Sequence, residues 1–119
     1  MVDTSREHQT HFIQGAFEDI SEAEGVQFLC PSDGKVTKVV VVLLGEITVA
    51  PAGVQVSGGE DNVISGFDVV VAGSGAGVIT THEVTQDNDV SEGEILTIAT
   101  DGGSTSEAGA LWCVWITRN

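Results

Sequence analysis

Two groups of side chains in this sequence of 119 residues are of types that can bind a metal ion. Asp87, Asp89 and Glu92 lie in the acidic segment TQDNDVSEGE, and calcium prefers several such oxygen ligands at loop positions. The segment lacks the central glycine and distal glutamate of an EF-hand, so we favour a solvated acidic loop and keep a weak divalent site as the alternative. His8 and His11 have no cysteine or third histidine near them, whereas zinc needs three or four ligands. We therefore predict no metal and no cofactor.

The other polar motifs do not form the pattern of an enzyme. The loop over residues 104–106 reads STS, but no histidine lies near it in sequence to act as a base. Gly73–Gly77 reads GSGAG without the lysine and following helix of a phosphate-binding loop. His82 is the sole histidine in a predicted body strand, too few for the metal triad of a cupin-type enzyme. We predict that the protein is not an enzyme and has no catalytic residues.

The charge balance is strongly negative, with 18 acidic residues against 4 basic ones and a formal net charge of -14. Such a surface repels nucleic acid and anionic membranes, so neither is an expected partner. It is typical of a protein built for high salt or of one that faces outward on a large particle. The N-terminus lacks the features of a signal peptide and no apolar run approaches a membrane span, which predicts synthesis in a cytoplasm.

Short stretches rich in Val, Ile and Thr must position these side chains, and they are typical of strands. Turn signals separate them at intervals of about eight to twelve residues, which predicts about eight strands in an all-β, antiparallel sandwich of jelly-roll-like type. We place this sandwich domain at residues 21–119. Residues 1–20 are polar and predict an N-terminal arm, with a short amphipathic helix near Phe12–Ile20 as the alternative.

Several predicted strands are apolar on both faces, which an antiparallel sheet with one wet face does not need. Lys35–Leu44, Phe67–Ala72 and Leu111–Ile116 share this character. A second subunit is the simplest source of the second dry surface, so we predict a homo-oligomer, with a trimer as the expected state. Trp112 and Trp115 face opposite sides of one strand, so one belongs to the core and the other to an interface or rim. The predicted interface residues are Trp112, Trp115, Leu111, Val40, Val42, Phe12 and Phe17.

Both cysteines of the chain, Cys30 and Cys113, lie inside apolar strand stretches. We interpret them as two small buried hydrophobic residues. A disulfide between them is the less favoured alternative, because disulfides are rare in proteins that are not exported.

Two segments carry a resemblance to a known class of proteins. PSDGKVTKVVVVLLGEITVA joins a Pro–x–Asp–Gly turn to a long strand and a Gly–x–Ile–Thr step, and VSEGEILTIATDGGSTSEAGALWCVWITR places a Gly/Ser/Thr loop before the final strand. Together they resemble small structural proteins of tailed phages, namely capsid decoration or head-associated β-sandwich proteins, over roughly residues 25–118.

This resemblance implies a structural virion protein that binds and stabilises the capsid shell as an oligomer. The major capsid protein would be its partner and the capsid surface its location, and no catalytic residues are carried over. The alternative is a receptor- or glycan-binding module of a fibre or spike, which would need an exposed aromatic or polar pocket.

Overall fold

A computed structural model describes residues 9–47, 52–58, 63–68, 76–85, 88–104 and 107–118. These ranges contain strands and turns and no helix, which confirms the all-β class. The nine strands within them are β1 Thr10–Phe17, β2 Ala23–Leu29, β3 Gly34–Leu43, β4 Gly53–Ser57, β5 Val63–Asp68, β6 Ile79–Glu83, β7 Asp89–Val90, β8 Ile95–Asp101 and β9 Ala110–Arg118.

The strands form two antiparallel sheets with jelly-roll topology. Sheet A has the order β1-β9-β3-β6, with the two-residue β7 also paired to β3, and sheet B has the order β2-β8-β4-β5. The pairs β1/β9, β2/β8, β3/β6 and β4/β5 are those of one long hairpin, and the pairs β3/β9 and β4/β8 join its halves into two sheets. This is the double Greek-key arrangement of a jelly roll, as the sequence predicts.

The core lies between the sheets and follows the period-two alternation of the strands. In β9 the residues Trp112, Val114 and Ile116 point inward and are buried. The Trp112 ring stacks on Phe28 of sheet B, with ring centroids 5.8 Å apart, so it ties the two sheets together. Phe17 lies 6.4 Å from the same ring.

The N-terminal segment corrects one prediction. Thr10–Phe17 is a strand of sheet A that pairs with β9 over eight residues, from Thr10 opposite Thr117 to Phe17 opposite Ala110. Ile20 is fully buried. The predicted arm over residues 1–20 and the alternative helix are therefore wrong from residue 10 onward, and residues 1–8 lie outside the described residues. The helix-like spacing arose because Ile13 and Phe17 lie on the inner face of the same strand and Ile20, just after it, is also buried.

Gly15 of β1 provides a test of this placement. It lies opposite Trp112, and a Cβ atom added there would come within 2.7 Å of Trp112 Cε2. Overpacking of this kind costs about 1–3 kcal/mol, so Gly15→Ala is expected to lower the free energy of unfolding by that amount. Urea unfolding measures it. Gly25→Ala is the control, because its Cβ would meet nothing closer than 3.7 Å, and an equal loss in both variants would contradict the prediction.

Candidate interface on the outer face of sheet A

The outward side chains of β1, β9, β3 and β6 form one continuous surface, which we call face A. The strand register arranges them in rows across the sheet. The rows are Ala16–Leu111–Val42–Ile79, Gln14–Cys113–Val40–Thr81 and Phe12–Trp115–Lys38–Glu83, followed at the end of the sheet by Thr10 and Thr117.

Large apolar side chains on face A are open to solvent. Phe12, Leu111 and Ile79 are 55%, 45% and 61% exposed. Trp115 lies between two neighbours of its own row: the Phe12 ring packs edge-on against it at 5.0 Å, and Lys38 Nζ sits 4.3 Å from its ring centroid. Such contacts fix the orientation of Trp115 before any partner binds, and a pre-organised side chain loses little entropy on association.

A β-bulge in β3 determines which of its valines reach face A. The register against β9 shifts between Val36 and Lys38. Val36 and Val39 both point into the core, so the bulge absorbs one residue and turns Lys38, Val40 and Val42 outward. Without it, the strict alternation of a strand would place Lys38 in the core.

Asn88 holds this bulge in place and is a residue that the sequence interpretation missed. It is buried, and its Nδ2 donates to the Val36 carbonyl at 2.7 Å and to the Val84 carbonyl at 3.3 Å. The Val36 amide donates to the Asn88 carbonyl at 2.9 Å, and the Val84 amide donates to the Thr37 carbonyl at 3.0 Å. These bonds satisfy backbone groups that the bulge removes from the regular ladder.

Replacing Asn88 by alanine is therefore expected to leave the buried Val36 carbonyl short of a donor. The expected loss in the free energy of unfolding is about 1–3 kcal/mol, measured by urea titration. Gln27, an exposed amide on β2, supplies the matched control, and Gln27→Ala should change stability little. Equal effects from the two substitutions would contradict the assigned role of Asn88.

Face A does not share the strong negative charge of the whole chain. The strands β1, β3 and β9 contain no aspartate or glutamate, and they carry Lys35, Lys38 and Arg118, three of the four basic residues. The two carboxylates on flanking strands are each matched by a lysine of β3: Glu83 lies 3.9 Å from Lys38 and Asp89 lies 3.3 Å from Lys35.

The outer face of sheet B differs from face A. Its described side chains are mostly small or polar, with one exposed apolar pair, Leu29 opposite Ile95, at its end. Asp101 also lies on this sheet, where its carboxylate accepts hydrogen bonds from the Gly53 and Gly103 amides at 2.8 Å. Face A carries more large exposed apolar side chains than the described outer face of sheet B, and its two carboxylates, Glu83 and Asp89, each lie beside a lysine.

The predicted interface residues divide between face A and the core. Phe12, Val40, Val42, Leu111 and Trp115 all lie on face A, and their contact with a partner stays a prediction. Trp112 and Phe17 are 3% and 1% exposed, so their assignment to an interface is wrong. The alternation of side chains along a strand places the two tryptophans of β9 on opposite faces. The sequence of β1 did not show on which face Phe17 lies.

The two cysteines are free thiols. Cys30 is buried, and its Sγ donates to the Ser32 carbonyl at 3.1 Å. Cys113 is half-buried and lies in the middle row of face A rather than in the core. Burial raises the pKa of both thiols above the ordinary value, so both are protonated at neutral pH.

The described carboxylates of the acidic segment do not gather around one point. Asp87 lies outside the described residues, and Asp89 is engaged by Lys35. Glu92 is exposed, and its amide donates to Asp33 Oδ1 at 2.8 Å in a contact between two turns. Within the described part of the chain, no three His, Cys, Asp or Glu side chains come together as a metal site would require.

A polar cleft of about 470 Å³ opens at one end of the sandwich. Both acidic and basic side chains line the cleft and can accept or donate hydrogen bonds. Ser32 is buried, and its hydroxyl has no hydrogen-bond partner among the described residues. The cleft is lined by His11, Pro31, Ser32, Asp33, Glu92 and Arg118.

Comparison with known proteins identifies a shared fold. No family model and no curated protein matches the chain. The acidic stable capsid structure of Helicobacter pylori bacteriophage KHP30 contains a chain that superposes with a TM-score of 0.59 at 14% identity, over 92% of this chain and 89% of that one. At this identity the likeness shows the fold alone. It supports a β-sandwich of the kind found in a phage capsid structure.

Weaker likenesses extend to other proteins. A chitosan-binding module from a chitosanase/glucanase of Paenibacillus sp. IK-5 gives a TM-score of 0.43 at 12% identity, over 91% of this chain and 94% of that one. The structure of infectious bursal disease virus, Gx strain, gives 0.35 at 14% identity, over 92% of this chain and 32% of that one. Among the described residues there is no helix with the length and apolar character needed to cross a membrane.

Proposed function

We propose that this protein is a structural component of a virion, which binds to the outside of a capsid shell as a homo-oligomer and stabilises it. Its partners would be further copies of itself and the major capsid protein, and its location the capsid surface after synthesis in the host cytoplasm. The proposed role is mechanical and involves no catalysis. A trimer is the oligomer that the sequence favours.

The contrast between face A and the rest of the surface carries this proposal. Face A exposes Phe12, Leu111 and Ile79, and its strands β1, β3 and β9 lack carboxylates, in a chain whose net charge is -14. Contiguous exposed apolar patches on soluble proteins commonly mark interaction sites. A protein that buries this face within an oligomer and is strongly acidic elsewhere suits the outside of a large particle, where the acidic surface limits non-specific adhesion. The jelly-roll fold shared with a phage capsid structure is consistent with this role.

The test uses particles produced from the genome that carries this chain. Purified particles are expected to contain the protein, and particles made without it are expected to break open at lower temperature. Added back, the purified protein should sediment with these particles and restore their thermal stability. Absence from the particles, together with no binding on addition, would refute the proposal.

The polar cleft favours a second candidate, a receptor- or glycan-binding module of a fibre or spike. Arg118 and His11 supply donors there, Asp33 and Glu92 supply carboxylate acceptors, and the Ser32 hydroxyl is unpartnered among the described residues. Sugar hydroxyls need such a mixture of donors and acceptors. A glycan array distinguishes the two functions: specific binding that is lost in Arg118→Ala would favour the binding module.

A further inference from the structure

We propose that face A is the self-association surface, and that two copies pack face A against face A about a two-fold axis. This deepens the proposed function, on which it rests for the expectation that the protein forms homo-oligomers. The proposed binding partner of face A is a second copy of this chain.

Charge selects face A as the surface through which two copies can meet. Two copies each carry a net charge of -14, so contact through an acidic surface would bring like charges together. The strands β1, β3 and β9 carry no carboxylate, and the flanking Glu83 and Asp89 lie beside Lys38 and Lys35. Face A therefore lets two copies approach with the least repulsion among the described sheet surfaces.

A two-fold axis makes face A complementary to itself. In an isologous contact the same patch meets its own copy, so exposed apolar side chains meet apolar side chains. The Lys38–Glu83 pair places one cation and one anion side by side in the row of Trp115, and a two-fold contact can offer each charge an opposite charge on the other copy. Two sheets packed face to face lie about 10 Å apart with interdigitated side chains, as the two sheets of one copy do.

A closed ring of three copies fits this surface less well. A cyclic trimer is heterologous, so face A of one copy would meet a different surface of the next. The described part of the outer face of sheet B is mostly small and polar, and it ends at Asp101. Burying face A against such a surface would leave polar groups without partners. Face A therefore favours a dimer over the trimer that the sequence suggested.

The size of face A sets the expected affinity. Four strands spaced about 4.8 Å apart and six steps of about 3.4 Å along β9 give a flat footprint of about 400 Å², which the relief of the side chains enlarges. Two such footprints sum to about 800 Å² before that enlargement, which is below the low end of specific interfaces, about 1,200 Å² in total for two partners. We expect a dimer whose dissociation is visible on dilution.

The first experiment compares two leucines with the same substitution. Leu111 on face A is 45% exposed, and Leu29 on the outer face of sheet B is 66% exposed. Sedimentation velocity over a range of concentrations is expected to show a dimer for the unmodified protein and for Leu29→Glu. Leu111→Glu places one new carboxylate on each side of the interface, and it should raise the dissociation constant on the order of 100-fold.

A milder variant tests the interface in case Leu111→Glu does not fold. Val40→Thr keeps the shape and strand propensity of the central valine and adds a hydroxyl to the interface, so it should weaken the dimer on the order of tenfold. Circular dichroism and thermal unfolding at low concentration confirm that each variant retains the fold. Weakening by Val40→Thr with an unchanged fold supports the proposal even if Leu111→Glu is unstable.

Cys113 supplies an independent readout, because it lies in the middle row of face A while Cys30 is 2% exposed. A short bis-maleimide at pH 8.5 is expected to link two copies through Cys113, and Cys113→Ser should abolish the linkage. Three results would overturn the proposal: a monomer at every concentration, a trimer, or a dimer that Leu29→Glu disrupts and Leu111→Glu does not.

The proposed function is tested separately, by binding of the same variants to bare particles. A monomer that binds particles through face A, so that Leu111→Glu abolishes binding, would overturn the two-fold inference and leave the virion role standing. A dimer formed through face A that has no affinity for particles would support the two-fold inference and refute the virion role.

Discussion

Deleting residues 1–20 is expected to abolish the native fold. The deletion removes β1, which pairs with β9 over eight residues, and it removes Phe17 and Ile20, which are 1% and 0% exposed. Truncating a single buried Phe costs about 3–5 kcal/mol, and domains of this size have about 5–15 kcal/mol in total. The truncated chain should show no cooperative thermal transition and should aggregate, because β9 becomes an open edge that is apolar on both faces.

The control for this deletion begins the chain at Gln9. It keeps all of β1 and the bond from the Arg118 amide to the Gln9 carbonyl at 2.8 Å, so we expect a cooperative transition close to that of the full chain. Thermal unfolding followed by circular dichroism compares the three proteins. A chain of residues 21–119 that unfolds cooperatively would show that β1 is dispensable and would restore the arm as originally predicted.

The side chains of β8 and β9 that share a face could be predicted, because successive side chains of a strand point to opposite faces, but the sequence did not say which face of β9 is buried. Leu96 and Ile98 share the inner face of β8, and Trp112 and Trp115 fall on opposite faces of β9. Period-two alternation is a local property, so it can be read without knowing the partner strands. The turn signals between strands are local as well, which is why the all-β class was predictable.

Features set by distant contacts could not be predicted in the same way. Four consecutive valines, Val39–Val42, contain no parity signal, and a bulge held by Asn88 from a distant turn decides which of them face outward. Strand order depends on the way in which the long hairpin folds over, and no single residue in the sequence indicates this. The polarity of residues 1–20 suggested an arm, because an edge strand with one solvated face has the composition of a loop.

Five of the seven predicted interface residues lie on face A, but the surface that they form together could not be predicted. Leu111 and Trp115 were identified from two-sided apolar character, and the register then brought Phe12 and Val40 beside them. The sequence did not reveal that three strands without carboxylates, β1, β9 and β3, lie next to one another in sheet A. That pattern becomes visible once β1, β3 and β9, far apart in sequence, are known to be neighbours.

Stability is expected to rise steeply with salt. The chain has a net charge of -14 and a radius of gyration of 14.8 Å. Two unit charges about 15 Å apart in water repel by about 0.3 kcal/mol, and many such pairs exist. Raising salt from 0.1 M to 1 M shortens the Debye length from about 10 Å to about 3 Å, which removes most of this repulsion. If about 2 kcal/mol is relieved, the unfolding temperature should rise on the order of 10 °C.

Thermal unfolding in sodium chloride and in sodium sulfate separates charge screening from salting-out. Both salts screen charge, whereas sulfate also strengthens the burial of apolar groups. A variant with Glu22, Glu46 and Glu107 changed to glutamine loses three exposed carboxylates and should depend less on sodium chloride, while keeping its response to sulfate. A midpoint that stays flat or falls in both salts would contradict the repulsion argument. The carboxylates would then be neutralised by bound cations, and a chelator should lower the midpoint if a divalent ion binds near Asp89 and Glu92.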